Sequence, residues 1–300
     1  MRVLLTGVTG FVGEAIKLHL LSKGHDVCGV HLRQKTTEFG HDHHQIMADV
    51  GSLCAVQKLH AEVRPCDAVI HAAASLNMSL FANDLTHTNC AGVLNLLWLA
   101  NQWQCQRFVF LSSVQVIGIP KQHPVTEEHN TEPRSAYHAS KLFGEYLVRL
   151  SEKEGVKGVS LRLTAPVGPR MPRSKLLPTL VSKALTQTPM ELSGKGSRKQ
   201  NYVDVRDIAR ACELSLAKEV SGVLNIASGN CISNLNLARR CIKLCKSKSG
   251  IVFNGREDCE DGLEWDVSID KARQTLGYIP QFNVDDAISS LMAEMVGKTR

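Results

Sequence analysis

The sequence has no long apolar segment and no paired cysteine motif. No stretch of its 300 residues approaches the roughly 20 apolar residues of a membrane-spanning helix, so we expect no membrane contact. The first residues, MRVLLTGVTG, lack the longer apolar core and cleavage site of a signal peptide, which predicts a cytoplasmic protein. The 10 cysteines are scattered without a C-x-x-C pair, which favours buried free thiols over disulfides.

The sequence also has few aromatic residues, 5%, and only a small excess of positive charge. Lys and Arg total 35 against 29 Asp and Glu, and this mild excess suits an anionic small molecule better than nucleic acid. The basic run between Arg239 and Lys248 has no aromatic platform and is interpreted as a solvated helix face. The histidines of HDHH, at residues 41–44, are interpreted as a solvated loop, and no metal site is expected.

Short apolar runs alternate with longer amphipathic segments through the first half of the chain. This alternation predicts an α/β fold with a parallel sheet covered on both faces. The predicted strands are Val3–Thr6, Val27–Leu32, Ala68–Ala72, Phe108–Ser112 and Val159–Leu163. The predicted helices are Gly10–Ser22, Leu53–Val63, Asn83–Gln102 and Ser135–Lys153.

The alternation stops at Pro166. Pro166, Gly168 and Pro169 break the pattern, which predicts that the chain leaves the sheet for a second, smaller lobe. We expect residues 1–165 to form a dinucleotide-binding domain to which 201–226 return. Residues 166–200 and 227–300 are predicted to form an α/β substrate-binding lobe, with a polar loop at Ser193–Gln200.

The strongest local motif is TGVTGFVG at residues 6–13. Gly7, Gly10 and Gly13 follow an apolar strand and open an amphipathic helix. Glycine permits a tight turn, close approach of the backbone to a pyrophosphate and close packing of helix on strand. The N–H groups at such a helix start face the phosphates, so the motif predicts a dinucleotide site.

The T-G-x-x-G-x-x-G spacing resembles the extended short-chain dehydrogenases/reductases, the family of nucleotide-sugar epimerases, dehydratases and reductases. Further landmarks of that family recur in order, including His71-Ala-Ala-Ala, Asn89 in TNCAGVLNLL, Ser112-Ser113 and Tyr137-x-x-x-Lys141. LRLTAPVGPR, NYVDVRDIARA and WDVSIDKARQTLGYIP are similar to its later motifs. The resemblance implies a Rossmann-like doubly wound sheet, a nicotinamide cofactor and a homodimer formed through a four-helix bundle of the Asn83–Gln102 and Tyr137 helices.

The resemblance also implies a cofactor site at the glycine loop and the ends of the following strands. Its predicted residues are Gly7, Thr9, Gly10, Phe11, Val12, Gly13, His31, Arg33, Asp49, Val50, His71, Ala72, Ala73, Ala74, Asn89, Leu111, Ser112, Tyr137, Lys141, Pro166 and Val167. His31 stands where NAD-selective relatives carry Asp, and no carboxylate follows before Glu38. His31 and Arg33 could hold a 2′-phosphate, which favours NADP, with NAD as the alternative if they are ordinary loop residues.

Three residues are predicted to carry the chemistry. Tyr137 and Lys141 lie four apart on a predicted helix and therefore share a face. A free phenol has a pKa of about 10, and we expect the Lys141 ammonium to lower the pKa of Tyr137. Ser113, preferred over Ser112 for its spacing to Gly118, would orient the substrate oxygen while Tyr137 moves a proton and the nicotinamide transfers hydride.

The substrate side departs from the family pattern. The dehydratases carry Asp-Glu where this chain has Val114 and Gln115, which disfavours a 4,6-dehydratase. Ala165 replaces the Asn, and Gln200 the Arg, with which relatives contact a sugar nucleotide. The predicted substrate-binding residues are Ser75, Ser113, Val114, Tyr137, Ala165, Arg170 and Arg198. Arg170, Arg173, Lys175 and Arg198 could bind a diphosphate, and solvation of these side chains is an equal alternative.

Two activities remain open at this point. The first is NADP-dependent reduction of a ketone, with a 4-keto-sugar nucleotide as the candidate substrate. The second is epimerisation of a nucleotide sugar on a retained NAD. A cofactor-binding sensor or scaffold without activity is a third class, but the presence of both Tyr137 and Lys141 favours an enzyme.

Overall fold

The computed structural model describes residues 1–32 and 45–297. Its largest element is a sheet of seven strands: β1 Arg2–Thr6, β2 Asp26–His31, β3 Gln45–Met47, β4 Ala68–His71, β5 Arg107–Ser113, β6 Gly158–Leu163 and β10 Gly222–Ile226. In space the order is β10-β6-β5-β4-β1-β2-β3, and all neighbouring strands are parallel. The predicted Rossmann-like doubly wound sheet is confirmed.

Helices cover both faces of this sheet. They are α1 Phe11–Ser22, α2 Leu53–Glu62, α3 Asn83–Leu85, α4 Gly92–Gln102, α5 Ala136–Leu150 and α7 Val205–Ala217. Strand β1 shows why its sequence is continuously apolar. Val3 and Leu5 are buried on the face that carries α1 and α7, whereas Leu4 is buried on the face that carries α2 and α4. Alternate side chains of one strand thus enter two cores.

The predicted strands and helices of the first half are found with ends that coincide or are shifted by at most three residues. Strand β3 was not anticipated, and it forms one edge of the sheet. The predicted Asn83–Gln102 helix begins with α3 and ends with α4, and a π-helical segment, Thr86–Ala91, joins them. Such π segments are rare and frequent at functional sites.

The predicted smaller lobe contains two short sheets and three helices among the described residues. Its strands are β7 Ala165–Val167, β8 Met190–Leu192, β9 Lys199–Asp204, β11 Cys231–Ser233 and β12 Ile251–Phe253. Its helices are α6 Leu176–Leu185, α8 Asn234–Leu244 and α10 Val284–Gly297, whereas α9 Asp270–Leu276 buries Ala272 and Leu276 in the core on the α1 side of the large sheet. The strand orders are β11-β9-β7 and β12-β8. Helices α6, α8 and α10 enclose a third core with Tyr202 of β9.

Two expectations about this lobe need correction. The break predicted at Pro166 is the short strand β7, and Pro166 is accommodated because β7 is an edge strand that pairs only with β9. The polar loop predicted over Ser193–Gln200 ends early, since Lys199 and Gln200 already belong to β9.

The division into two lobes stays a prediction, and the packing differs from it at one place. Helix α7 and strand β10, within residues 201–226, pack with the large sheet. Part of the predicted 227–300 lobe does the same, because Trp265, Ile269 and Tyr278 are buried in the core on the α1 side.

All 10 cysteines are free thiols, and five of them are buried. Of the described residues, no helix is long and apolar enough to cross a bilayer.

Candidate active site

Many of the predicted site residues lie at one edge of the large sheet, because its strands are parallel and their carboxyl ends lie together. The glycine loop follows β1, the His71–Ser75 segment follows β4, and Ser113 ends β5. Strand order reverses between β1 and β4, and ligands of open α/β sheets bind at such a switch point.

The glycine loop is shaped by close approach of backbone to backbone. Gly7 has φ +69°, and a Cβ on it would lie 2.7 Å from the Ala73 nitrogen. A Cβ on Gly13 would overlap the Gly7 carbonyl, and at Gly10 it would lie 3.1 Å from the same oxygen. Gly10 precedes α1 without a side-chain cap, so the first N–H groups of this helix remain available to an anion.

The end of β2 is the position at which the sequence predicts the choice between NAD and NADP, and the structure describes it only as far as residue 32. His31 is half-buried and is the last residue of β2, and Arg33 lies outside the described residues. Asp49 follows β3, where its carboxylate binds His87 Nε2 at 2.8 Å and accepts from the Gly51 N–H at 2.9 Å.

His71 is fully buried at the end of β4. Its Nδ1 lies 2.8 Å from Thr6 Oγ1, which also accepts the Ala73 N–H at 3.2 Å. Burial, together with the nearby Lys141, lowers the pKa of His71 to about 3, so the ring is neutral. Its Nε2 has no hydrogen-bond partner among the described residues. The Thr6–His71–Ala73 contacts fix the segment that closes over Gly7.

The Asn89 side chain forms hydrogen bonds with both Ser75 and Ser140. It is buried in the π segment, where its side-chain oxygen accepts the Ser75 N–H at 2.8 Å. Its amide nitrogen donates to the Ser75 carbonyl and to Ser140 Oγ, both at 3.0 Å. Ser140 in turn donates to the Tyr137 carbonyl at 2.7 Å. Asn89 therefore joins the loop after β4 to the helix that carries Tyr137.

Tyr137 and Lys141 lie on α5, whose first turn is capped by Ser135 Oγ. Lys141 is fully buried, and its Nζ donates to the Leu111 carbonyl at 2.8 Å and lies 5.8 Å from the Tyr137 ring centroid. Burial lowers the pKa of Lys141 to about 8, against the opposing effect of the Glu145 carboxylate.

The expectation of a lowered pKa for Tyr137 is wrong in this structure. Burial raises the pKa of Tyr137 to about 12. The physical reason is that burial removes the water that would solvate the charged phenolate. Tyr137 is therefore a protonated phenol near neutral pH, a state suited to giving a proton.

Ser112 and Ser113 have different surroundings, because adjacent residues of a strand point to opposite faces of the sheet. Ser112 is buried, and its hydroxyl donates to Glu145 at 2.6 Å. Ser113 is half-buried, and its Oγ accepts the Gln115 N–H at 3.2 Å. Of these two serines, Ser113 is the one whose hydroxyl is not taken up by the buried Glu145.

A buried ion pair beneath these residues was not anticipated. Glu145 accepts from Arg162 Nε at 2.9 Å and Nη2 at 2.8 Å, and both side chains are at most 5% exposed. Glu145 lies one helical turn after Lys141, and Arg162 belongs to β6, so the pair ties α5 to the sheet. A carboxylate four residues after Lys141 was the available signal.

Several predicted residues place their side chains in the cores rather than at the edge. They are Val50, Leu111, Val114 and Val167. Phe11 and Val12 are half-buried against the core on the α1 side, and Thr9, Ala72, Ala74, Ala165 and Pro166 are half-buried.

Two of the predicted cationic substrate residues, Arg170 and Arg198, are paired with acids. Arg170 binds Glu14 of α1 at 2.6 Å, and its backbone N–H donates to Glu294. Arg198 pairs with Glu260. The structure thus places Arg170 beside the glycine loop and Arg198 on the lobe, each with its charge largely balanced.

The match to a family model decides the family. Residues 3–227 match the model of the NAD dependent epimerase/dehydratase family. The chain belongs to this family. The predicted membership in the epimerase/dehydratase branch of the extended short-chain dehydrogenases/reductases is thereby confirmed.

Three similar proteins illustrate the range of the family. The chain is 26% identical to a dTDP-glucose 4,6-dehydratase of Streptomyces niveus, covering 96% of this chain and 90% of that protein. It is 25% identical to the UDP-glucose 4-epimerase of Thermus thermophilus in complex with NAD, with a TM-score of 0.87 and 99% of each chain covered. RMD from Pseudomonas aeruginosa complexed with NADPH shares the fold, with a TM-score of 0.85, 20% identity and 99% of each chain covered.

The residues present fit a dinucleotide. Gly7, Gly10 and Gly13 leave the space that side chains would fill, and α1 directs uncapped N–H groups toward it. A nicotinamide dinucleotide at this edge would place its pyrophosphate at the loop and its reactive ring toward Ser113, Tyr137 and Lys141.

Proposed function

We propose that the protein is an NADP-dependent oxidoreductase that reduces a ketone to an alcohol. The observation that supports this proposal is the position of Lys141, whose Nζ lies 5.8 Å from the Tyr137 ring centroid and donates to the carbonyl of Leu111, two residues before Ser113 on β5. The bound cofactor supplies the hydride, and the residues of the chain supply the proton and hold the substrate oxygen.

The protonation state of Tyr137 supports reduction. Tyr137 is protonated near neutral pH and can donate to the carbonyl oxygen as it gains negative charge. The Lys141 ammonium, 5.8 Å from the phenol ring, then stabilises the phenolate that remains. Ser113 donates a second hydrogen bond to the same oxygen. An enzyme that begins by oxidising an alcohol would first have to deprotonate Tyr137, which its burial opposes.

The preference for NADP rests on the end of β2. His31 terminates the strand, and no carboxylate stands there to accept the ribose 2′-hydroxyl. A 2′-phosphate would instead be held by the cationic residues after the strand, with Arg33 as the principal candidate.

The substrate class is taken from the relatives and is an anionic ketone such as a 4-keto-sugar nucleotide. Ser75, Ala165, Arg170 and Arg198 would surround it, with Tyr137 and Ser113 at the reacting oxygen. Val114 and Gln115 offer no acid or base, so a dehydration is not proposed.

The test is a turnover assay with NADPH and a panel of 4-keto-sugar nucleotides and simple ketones. A loss of NADPH absorbance equal to the alcohol formed is expected, and its abolition in Tyr137→Phe assigns it to this site. Exchange of sugar epimers without net NADPH consumption would overturn the reductase.

The alternative is an NAD-dependent nucleotide-sugar epimerase with a retained cofactor. The likeness to the Thermus thermophilus epimerase favours it. It requires Tyr137 to serve as a base in one half-reaction and as an acid in the other. Purification with tightly bound NAD would support this alternative.

We propose that the enzyme is a cytoplasmic homodimer that pairs through α4 and α5. These helices expose Leu94, Phe143, Tyr146 and Leu150 on their outer faces, each 42–50% accessible. Trp98, also on α4, contacts His60 of α2 edge-on within the chain. Light scattering should give twice the 32.9 kDa chain mass, and Phe143→Glu should give the monomer.

A further inference from the structure

A cavity lies in the smaller lobe, away from the sheet edge described above. Its volume is about 520 Å³, and it opens between α8, the start of α10 and strands β9 and β11. None of its lining residues is a predicted cofactor or substrate residue. Val284 of α10 lines it, and Glu294, ten residues later, contacts Arg170 beside α1. At 1.5 Å per helical residue, the cavity lies roughly 15 Å along α10 from that contact.

One wall of the cavity is cationic. Arg239 and Arg240 are adjacent on α8, Lys243 lies one helical turn after them, and all three are exposed and line the cavity. Arg240 is paired with Asp285 at 2.6 Å. Arg239 bonds only the neutral Asn236, at 3.3 Å, and Lys243 forms no ion pair with any residue that the structure describes. Two positive charges therefore face the cavity without a counter-charge.

Other lining residues offer contacts for the organic part of a small ligand. Tyr202 presents a largely buried ring, 9% exposed, and Ile232 adds an apolar contact. The Asn230 side chain makes no hydrogen bond within the described residues, so its amide is available to a ligand. Apolar walls with a few convergent polar groups are typical of small-molecule sites, and this volume is within their usual range of roughly 300–1,000 Å³.

We propose that this cavity is a second ligand site, which binds the phosphate group of a small organic phosphate on Arg239 and Lys243. Guanidinium groups match phosphate oxygens in a bidentate manner, and lysine adds a point charge. The body of the ligand lies against Tyr202 and hydrogen-bonds Asn230. The basic run from Arg239 to Lys248, interpreted from the sequence as a solvated helix face, thus divides into residues on α8 that line the cavity and residues after α8 that do not. Lys246 and Lys248 belong to the second group.

The test is calorimetric titration of the full-length protein with glucose 1-phosphate and, separately, with inorganic phosphate. Three forms are compared: the natural protein, R239A/K243A and K246A/K248A. Both double variants remove two exposed cations, from α8 in the first case and from the segment directly after it in the second, so they match in net charge. All four side chains are exposed, and unchanged melting temperatures will show that each form is folded.

The proposal predicts that the natural protein and K246A/K248A bind glucose 1-phosphate alike, whereas R239A/K243A binds it roughly tenfold or more weakly. Inorganic phosphate should bind more weakly than the sugar phosphate because it lacks the contact with Tyr202. Equal affinity in all three forms would place the ligand elsewhere, for example at the dinucleotide edge. Equal weakening in both double variants would show a general charge effect, and either result, or no binding, overturns the proposal.

Discussion

The sheet edge around Tyr137 and the facing surface of the smaller lobe hold their polar groups in different ways. At the sheet edge, Lys141, Asn89 and Glu145 are buried, and each bonds a group from another element. On the lobe, Arg198 and Glu260 pair while about a quarter exposed. A buried polar group is costly to leave unpaired, whereas an exposed pair can be lost at little cost. The sheet edge is therefore a preorganised site, and the lobe surface can change its specificity without unfolding.

The largest effect should come from Tyr137→Phe, which removes only the phenolic hydroxyl. Turnover should fall by roughly 10²–10⁴, the usual contribution of a general acid. Cofactor affinity should be unchanged, since the variant keeps the ring and leaves Lys141 in place. Steady-state kinetics and a cofactor titration separate the two quantities, and a loss of affinity equal to the loss of turnover would show that Tyr137 binds rather than donates.

The second prediction compares the two regions directly. Glu145→Gln leaves Arg162 as a buried cation without a counter-charge and should cost about 3–5 kcal/mol of unfolding free energy. Glu260→Gln, which breaks the exposed pair with Arg198, should cost less than about 1 kcal/mol. Urea unfolding of both variants measures the difference, and equal losses would contradict the contrast between the regions.

The glycine loop offers a third, graded comparison. Gly13→Ala forces a Cβ onto the Gly7 carbonyl, whereas Gly10→Ala places it at 3.1 Å, a distance that a small shift relieves. Gly13→Ala should therefore weaken cofactor binding much more than Gly10→Ala, by roughly tenfold or more. Fluorescence titration checks the order, and the reverse order would mean that the loop is not shaped by this packing.

Lys141 gives the fourth prediction, on pH. Its pKa is lowered to about 8, so its ammonium is present below that pH and is lost above it. If the ammonium binds the cofactor, affinity should fall about tenfold per pH unit above this pKa. Lys141→Arg, which stays charged, should remove the alkaline fall. An alkaline fall that persists in Lys141→Arg would assign it to another group.

The smallest effect is expected on the lobe. Arg198 already pairs with Glu260, so Arg198→Ala should change stability by less than about 1 kcal/mol. Its effect on the substrate KM tests the predicted role in binding. An unchanged KM would remove Arg198 from the substrate site.

The residues at the sheet edge could be predicted from the sequence, because binding a dinucleotide and moving a proton require particular residue types at particular spacings. Only glycine fits at Gly7 and Gly13, and Tyr137 and Lys141 share a helix face at four residues apart. The pKa of Tyr137 was not predictable, because it depends on burial, which local spacing does not report. The ion-pair partners of Arg170 and Arg198 could not be predicted either, since Glu14 and Glu260 lie far from them in the chain. The Glu145–Arg162 pair joins a helix to a strand and needed the folded structure to be seen.

The most direct test of the proposed function is a titration of the purified protein with NADPH and with NADH, in which the fluorescence of the nucleotide reports binding. Absorbance is read first for any nucleotide that co-purifies. We predict an empty site and clearly tighter binding of NADPH, because β2 ends at His31 without a carboxylate. Retained NAD, with no preference for the 2′-phosphate, would contradict the account and favour the epimerase.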